Sequence, residues 1–129
     1  MVSELISKAM SARDSAYAPY SGFKVGAAVL CGDGSIVTGF NIENKSFPAT
    51  ICAERVALYS AIGQGKSDFK AVAVIGSSSE PCYPCGICRQ VFSEFCGGDL
   101  VFYICSEDGT YVEKTLDDLL PFTFSFITN

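Results

Sequence analysis

The chain contains no histidine among its 129 residues. This absence excludes Ser-His and Cys-His nucleophilic catalysis, and it also excludes zinc sites of the HExxH type. Any metal site in this chain must therefore be built from Cys, Asp or Glu side chains.

Basic residues are also few, because nine Lys and Arg stand against fourteen Asp and Glu and give a net charge of −5. Contacts to phosphate depend on clustered Lys and Arg, so we expect no nucleic acid polymer as a partner. The N-terminal residues 1–10 lack an uninterrupted apolar run, because they include Glu4 and Lys8. The sequence therefore indicates neither a signal peptide nor a membrane span, and we expect a cytoplasmic protein.

The composition is typical of one small domain with reduced thiols. With 49% hydrophobic and 18% charged residues, the chain has enough apolar side chains for one core and little room for a second. We therefore expect residues 1–129 to form a single domain. The seven cysteines are an odd number, and the close spacing of three of them suits a reducing compartment.

Three cysteines lie in two short motifs, Cys52-Ala53-Glu54-Arg55 and Pro84-Cys85-Gly86-Ile87-Cys88. Zinc with three protein ligands keeps a fourth position for water, which distinguishes a catalytic site from a closed structural one. Cys52 and Cys85 are each predicted to open a helix, where the helix dipole favours the thiolate form that zinc requires. We predict that Cys52, Cys85 and Cys88 bind Zn²⁺.

Two charged residues follow the first of these cysteines. Glu54 is predicted to carry protons beside the metal, although an acidic residue in the first turn of a helix is also common for electrostatic reasons alone. Three thiolates and one Zn²⁺ sum to a net charge of −1, which a nearby guanidinium would offset. Arg55 is the candidate for this second layer around the metal, and an exposed Arg on the helix surface is the alternative.

The remaining pattern alternates strands and helices. This order predicts an α/β protein with a mixed sheet, in which an opening antiparallel hairpin lies beside later parallel strands and helices cover both faces. The two helices that begin at Cys52 and Cys85 follow neighbouring strands, so their N-termini are expected to meet. Helices are predicted at 3–16, 52–62, 85–95 and 116–120, and strands at 23–31, 36–42, 71–75, 100–105 and 111–113.

Taken together, these residues resemble the cytidine deaminase family, in particular its small members that use three cysteines. The resemblance covers nearly the full length of the chain and rests on an ordered set of motifs. Besides the two cysteine motifs these are Ala18-Pro19-Tyr20-Ser21-Gly22-Phe23-Lys24-Val25-Gly26-Ala27-Ala28, Asn41-Ile42-Glu43-Asn44, Arg89-Gln90, and Leu119-Leu120-Pro121 with Phe124.

The resemblance implies a three-layer α/β/α fold with a five-stranded mixed sheet. It also implies zinc-dependent hydrolysis of cytidine and deoxycytidine to uridine and deoxyuridine in pyrimidine salvage, with Glu54 as the catalytic residue. Members of this length form homotetramers whose active sites are shared between subunits, so a homotetramer is expected.

The resemblance further assigns the substrate contacts. Asn41 and Glu43 would bind the 3′-hydroxyl of the sugar, the backbone N–H of Ala53 would recognise the base edge, and Phe23 and Phe124 would pack around the ring. Asn41 and Glu43 can also be read as polar loop residues. Each Phe can likewise belong to core or subunit packing.

Three residues depart from the family pattern. Gly22 stands where Lys is frequent, Lys45 where a small residue is frequent, and Phe47 where Tyr is common. Because Lys45 and Phe47 follow the predicted sugar-binding segment, sugar preference and subunit contacts are the features they affect.

Cys82 is interpreted as a loop cysteine near the site that could compete for metal. It precedes Cys85 and Cys88 in a C-x2-C-x2-C run typical of iron–sulfur ligation, but the position of the next required Cys holds Phe92. A structural zinc module would use Cys82 as the fourth ligand beside Cys52, Cys85 and Cys88. A zinc deaminase of another base or nucleoside analogue would keep the three-cysteine chemistry with a different substrate.

Overall fold

The computed structural model describes residues 1–124 as a five-stranded sheet with four α-helices and one short 3-10 helix, Phe47–Ala49. The elements are α1 (Val2–Arg13), β1 (Gly26–Cys31), β2 (Ile36–Phe40), α2 (Ala53–Gly63), β3 (Phe69–Ile75), α3 (Gly86–Phe95), β4 (Val101–Cys105), β5 (Tyr111–Thr115) and α4 (Leu116–Leu119).

The sheet has the order β2-β1-β3-β4-β5. β3 and β4 pair in parallel, whereas β1 pairs antiparallel with both β2 and β3, and β5 pairs antiparallel with β4. Since β2 and β3 both run opposite to β1, they run in the same direction as each other. The predicted mixed sheet with an antiparallel hairpin is confirmed.

Helices cover both faces of the sheet, which confirms the three-layer α/β/α prediction. β3 alternates between the two cores, because Val72 and Val74 lie in one cluster while Ala73 and Ile75 lie in the other. Helix α1 covers one face through Leu5, Ile6 and Ala9, and helices α2, α3 and α4 cover the opposite face through Ala53, Ala57, Leu58, Ala61, Phe92, Leu116 and Leu119.

The largest differences from the sequence prediction lie at the end of α1 and at the start of β1, which begins at Gly26 rather than at residue 23. The other helix ends lie within one residue of the prediction. Helix α1 ends at Arg13 rather than at residue 16, because the N–H groups of Asp14, Ser15 and Ala16 bond to carbonyls three residues back. Gly63 is the last residue of α2, and the left-handed backbone that ends the helix lies two residues later, at Gly65 with φ +85°.

Helix α2 approaches β2 closely at Gly39. A Cβ added at Gly39 would lie 2.4 Å from the backbone nitrogen of Ala57 and 2.6 Å from the carbonyl oxygen of Ala53. Both neighbours are backbone atoms, so a side chain at this position would displace the helix that carries Cys52 and Glu54.

We expect Gly39→Ala to lower the free energy of unfolding by about 3 kcal/mol, because rigid backbone leaves no room for the methyl group. Urea unfolding measures this effect. Gly63→Ala is the matched control, since a Cβ there meets nothing within 4 Å. Equal stability of the two variants would contradict the close contact.

Candidate metal centre and active site

The two cysteine motifs meet at one edge of the sheet. Cys52 is the N-cap of α2 and Cys85 is the N-cap of α3, both with extended backbone conformations. Because β2 and β3 run in the same direction, the helices that follow them begin at the same edge. Cys88 lies in the first turn of α3 and is fully buried. The fold therefore brings three thiols to two helix N-termini, where partial positive charge favours thiolates.

The three sulfur atoms have the spacing that zinc requires. The Sγ of Cys85 lies 3.6 Å from that of Cys52 and 3.5 Å from that of Cys88, and all three lie within 4.8 Å of one another. A tetrahedral ion with Zn–S bonds of about 2.3 Å separates its sulfur ligands by about 3.8 Å. The thiol cluster therefore fits Zn²⁺, as the sequence predicted.

The thiols differ in acidity. The hydrogen bond from Cys88, followed by contacts with Arg55 and Cys85, lowers the pKa of Cys52 to about 5 despite burial. The same hydrogen bond, together with burial, raises the pKa of Cys88. One thiolate is thus already favoured in the protein, and a dication must displace the proton held at Cys88 to complete the site.

Arg55 faces the thiols. Its Nη2 lies 3.6 Å from the Sγ of Cys52, and its buried Nε has no hydrogen-bond partner among residues 1–124. Contacts with the sulfurs outweigh the opposing effect of burial and raise the pKa of the guanidinium. Arg55 therefore places a permanent positive charge beside Cys52.

Glu54 is buried beside the thiol cluster, with 4% of its surface exposed. Burial is the largest influence on its carboxyl group and raises the pKa to about 7, with a further contribution from the negative charge of Cys52. A carboxyl group with this pKa can both accept and release a proton near neutral pH.

Asn41 and Glu43, predicted to bind the sugar, contact the segment that carries Phe23. The side chain of Asn41 accepts a 2.9 Å hydrogen bond from the N–H of Val25 and donates one of 2.9 Å to the carbonyl of Phe23. Glu43 accepts from the N–H groups of Tyr20 and Ser21 at 2.9 and 3.1 Å. Sequence reasoning missed these contacts.

Ala53 and Phe124 were predicted to contact the base. Ala53 is the first residue of α2 and is buried, so its N–H belongs to the end of the helix where amide groups lack intrahelical acceptors. Phe124 follows α4 and is 63% exposed.

Arg89 is a residue of the site region whose role was not predicted. Its Nε donates to the carbonyl of Pro84 and its Nη1 to the carbonyl of Leu119, both at 2.8 Å. It therefore links the residue before Cys85 to the end of α4. The sequence offered the Arg89-Gln90 motif but no partner for the guanidinium.

Cys82 lies outside the cluster of Cys52, Cys85 and Cys88. Burial raises its pKa to about 12, so the thiol is protonated at neutral pH. Its side chain packs beside Gly76, where an added Cβ would lie 3.1 Å from the sulfur and 2.7 Å from the ring of Phe23. This environment suits an apolar packing role rather than a fourth metal ligand.

Comparison with known proteins gives concordant matches. Residues 2–104 match the family model described as the cytidine and deoxycytidylate deaminase zinc-binding region. The chain is 47% identical to cytidine deaminase of Sporosarcina psychrophila over 96% of this chain and 91% of the relative. It is also 47% identical to cytidine deaminase of Halalkalibacterium halodurans, over 94% of this chain and 92% of the relative.

A solved structure agrees with the observed fold. The crystal structure of cytidine deaminase from Burkholderia pseudomallei superimposes with a TM-score of 0.91 at 44% sequence identity, covering 95% of this chain and 98% of that one. The matches span the thiol cluster and both layers of helices. The chain therefore belongs to the cytidine and deoxycytidylate deaminase family of zinc-dependent hydrolytic deaminases.

Proposed function

We propose that this chain hydrolyses cytidine and deoxycytidine to uridine and deoxyuridine with release of ammonia. The observation that carries this proposal is the buried carboxyl group of Glu54 beside three thiols with zinc-ligand spacing. The relatives named cytidine deaminase support the choice of substrate.

Cys52, Cys85 and Cys88 would hold the zinc ion, which supplies Lewis-acid activation of a water molecule. The Glu54 carboxylate accepts a proton from this water and delivers it to N3 of cytosine as the oxygen adds to C4. Glu54 then carries the second proton of the water to the amino group on C4. Ammonia leaves, and the C4 carbonyl of uridine forms.

Substrate contacts are proposed from residues around this centre. The N–H of Ala53 would hold the base edge, with Phe23 and Phe124 against the ring faces. Asn41 and Glu43 would bind the 3′-hydroxyl, since both lie next to the segment that carries Phe23. A 3′-hydroxyl contact is common to ribose and deoxyribose, so both nucleosides are expected to be substrates.

Arg55 is proposed to offset the negative charge of the three thiolates. We expect Arg55→Gln to lower zinc affinity by about 10- to 100-fold, because the guanidinium stabilises the thiolate of Cys52. Competition with a chromophoric chelator measures the affinity. Lys8→Gln, which removes a positive charge from the opposite layer of helices, should leave zinc affinity unchanged. Equal zinc affinity of Arg55→Gln and the wild type would remove Arg55 from this role.

A homotetramer with shared active sites is the proposed assembly. Three large apolar side chains on the 3-10 helix, α3 and α2 are exposed in the single chain: Phe47 at 74%, Ile87 at 62% and Tyr59 at 45%. A contiguous exposed apolar patch typically marks a contact surface, and Tyr59 and Ile87 lie on the two helices whose N-termini meet at the thiol cluster.

Light scattering after gel filtration is expected to give four times the mass of one chain. Tyr59→Asp should shift the protein towards smaller species, because a charge would be buried at the subunit contact. Lys8→Asp is the control on α1. A wild-type monomer with full activity would contradict the shared-site assembly.

One sheet runs through the whole described fold. We propose that residues 1–129 form one domain, since a single sheet joins elements from β1 to β5.

The seven cysteines are free thiols, which favours the reducing cytoplasm as the location of the protein. The proposed reaction belongs to pyrimidine salvage. Among the described residues, no helix combines the length and apolar character needed to cross a bilayer.

Ammonia release by zinc-loaded protein tests the function. The substrates are cytidine, deoxycytidine, cytidine monophosphate, cytosine, guanine and a cytosine-containing RNA. Turnover of the two nucleosides alone is the expected result. Turnover of a different substrate would keep the zinc chemistry and discard the sugar contacts, and lack of turnover in folded, zinc-loaded protein would favour a structural zinc module.

A further inference from the structure

Ser21 links the carboxylate of Glu43 to the backbone of Phe23. The hydroxyl of Ser21 donates to Oε2 of Glu43, and its N–H donates to Oε1 at 3.1 Å. The same hydroxyl oxygen accepts a 3.0 Å hydrogen bond from the N–H of Phe23. One serine side chain therefore joins a proposed sugar contact to a proposed wall of the base pocket.

The backbone between Ser21 and Phe23 turns in an exposed loop. Gly22 adopts the left-handed conformation with φ +71°, which turns the chain between Ser21 and Phe23. Residues 20–24 are exposed, and burial begins only at Val25. Few contacts from the described part of the chain hold this exposed segment. They include the hydrogen bonds with Asn41, Glu43 and the Ser21 hydroxyl, a bond from the Ser77 hydroxyl to the carbonyl of Lys24, and the ring of Phe23 beside Gly76.

The contacts of Glu43 determine where a substrate hydroxyl can bind. An ionised carboxylate offers about four acceptor positions, two on each oxygen. The N–H groups of Tyr20 and Ser21 occupy Oε1, and the Ser21 hydroxyl takes one position on Oε2. Within residues 1–124 these contacts leave one acceptor position, on the oxygen that Ser21 orients. Hydrogen bonding by Ser21 is also the largest influence that lowers the pKa of Glu43, which keeps the carboxylate ionised.

We propose that Ser21 is a positioning residue that orients Oε2 of Glu43 towards the 3′-hydroxyl and fixes the Phe23 backbone at the same time. This inference deepens the proposed function and rests on it for the identity of the sugar. Substrate binding, rather than proton transfer at Glu54, is the step that Ser21 supports.

Steady-state kinetics of Ser21→Ala tests the proposal. The KM for cytidine should rise about 10-fold, because a hydrogen bond to a charged group is lost, while kcat stays within about twofold and zinc content is unchanged. Most of this KM increase should disappear with 3′-deoxycytidine. Ser21→Thr, which keeps the hydroxyl, should restore the wild-type KM.

Ser35→Ala is the matched control. Ser35 also donates both its N–H and its hydroxyl to one carboxylate, that of Asp33, at 3.0 and 2.6 Å. This pair lies in the β1–β2 turn, at the edge of the sheet opposite the thiol cluster. Ser35→Ala should therefore leave the KM for cytidine unchanged, and an equal effect of the two variants would overturn the proposal.

Hydrogen exchange separates this inference from the proposed function. The amide of Phe23 should exchange about 10-fold faster in Ser21→Ala than in the wild type or Ser21→Thr, because it loses its acceptor. Unchanged exchange overturns the positioning role even if the wild-type protein shows no turnover of cytidine. Faster exchange of the Phe23 amide with an unchanged KM for cytidine would also overturn the positioning role of Ser21. Lack of turnover by the wild-type protein would refute only the proposed function.

Discussion

Glu54→Gln is expected to reduce kcat for cytidine by about 10⁴-fold while one zinc ion per chain is retained. General acid–base catalysis typically contributes up to about 10⁴-fold, and Glu54 is used twice in each turnover. Gln has nearly the same shape but cannot accept a proton from water. The measurement is ammonia release at saturating cytidine, alongside zinc analysis of the same sample.

Two observations make this test specific for proton transfer. The thiol cluster does not include the Glu54 side chain, so the substitution leaves all three sulfur ligands in place. Glu94 lies exposed on α3, and Glu94→Gln changes an equivalent charge without touching the centre. Wild-type kcat in Glu54→Gln would exclude the proposed role, and loss of zinc would show that Glu54 acts on the metal site instead.

The thiol cluster was predictable because its three cysteines follow local rules of helix structure. Cys52 and Cys85 each stand where a helix begins, and Cys88 follows three residues after Cys85, so spacing along the chain determines which way these thiols face. The strand order then brings two helix N-termini to one edge of the sheet. The sulfur distances agree with the predicted meeting of the two helix N-termini. The expectation that these helices follow neighbouring strands was wrong, because β1 lies between β2 and β3, and the N-termini meet since β2 and β3 run in the same direction.

The contacts of the 20–25 segment were not predictable in the same way. Asn41 and Glu43 bond to backbone groups about twenty residues away, and these partners depend on how a loop without regular structure crosses the end of a strand. Neither apolar periodicity nor capping patterns report such a crossing. The same reason applies to Arg89, whose second acceptor, Leu119, lies 30 residues along the chain.

The end of α1 shows a smaller effect of the same kind. Apolar spacing allowed the helix to continue to residue 16, but the bridge between Tyr17 and Ile42 fixes the chain beside β2 soon after Arg13. Arg13 also donates to the carbonyl of Gly76 at 2.7 Å, which ties the end of the helix to the end of β3. Tertiary contacts therefore shortened a helix that the local pattern would have extended.

The fit of the thiols to zinc implies that the metal also stabilises the fold. Cys52 and Cys85 are the N-caps of two different helices, and Cys88, in the first turn of α3, is fully buried. One ion that bonds all three sulfurs would join α2 to α3, which otherwise share few contacts. Binding to the folded state alone stabilises it by about 3 to 4 kcal/mol when the free ligand exceeds its dissociation constant by about 100- to 1,000-fold.

Cys88→Ser is therefore expected to lose zinc, to lose detectable turnover of cytidine and to lower Tm by about 10 °C. A hydroxyl remains protonated at neutral pH, so it cannot replace the thiolate as a ligand. Zinc analysis, ammonia release and thermal unfolding measure the three effects. A chelator should lower the Tm of the wild type towards that of Cys88→Ser and leave the variant unchanged.

Cys82→Ser distinguishes this centre from a four-cysteine structural module. Cys82 is partly buried, as Cys52 is, but it lies outside the sulfur cluster. Its variant should therefore keep zinc, turnover and the response to chelator. The change from thiol to hydroxyl in an apolar environment should still lower stability by about 1 kcal/mol. If Cys82→Ser instead loses zinc as Cys88→Ser does, four thiols hold the ion, no ligand position stays open for water, and the hydrolytic mechanism fails.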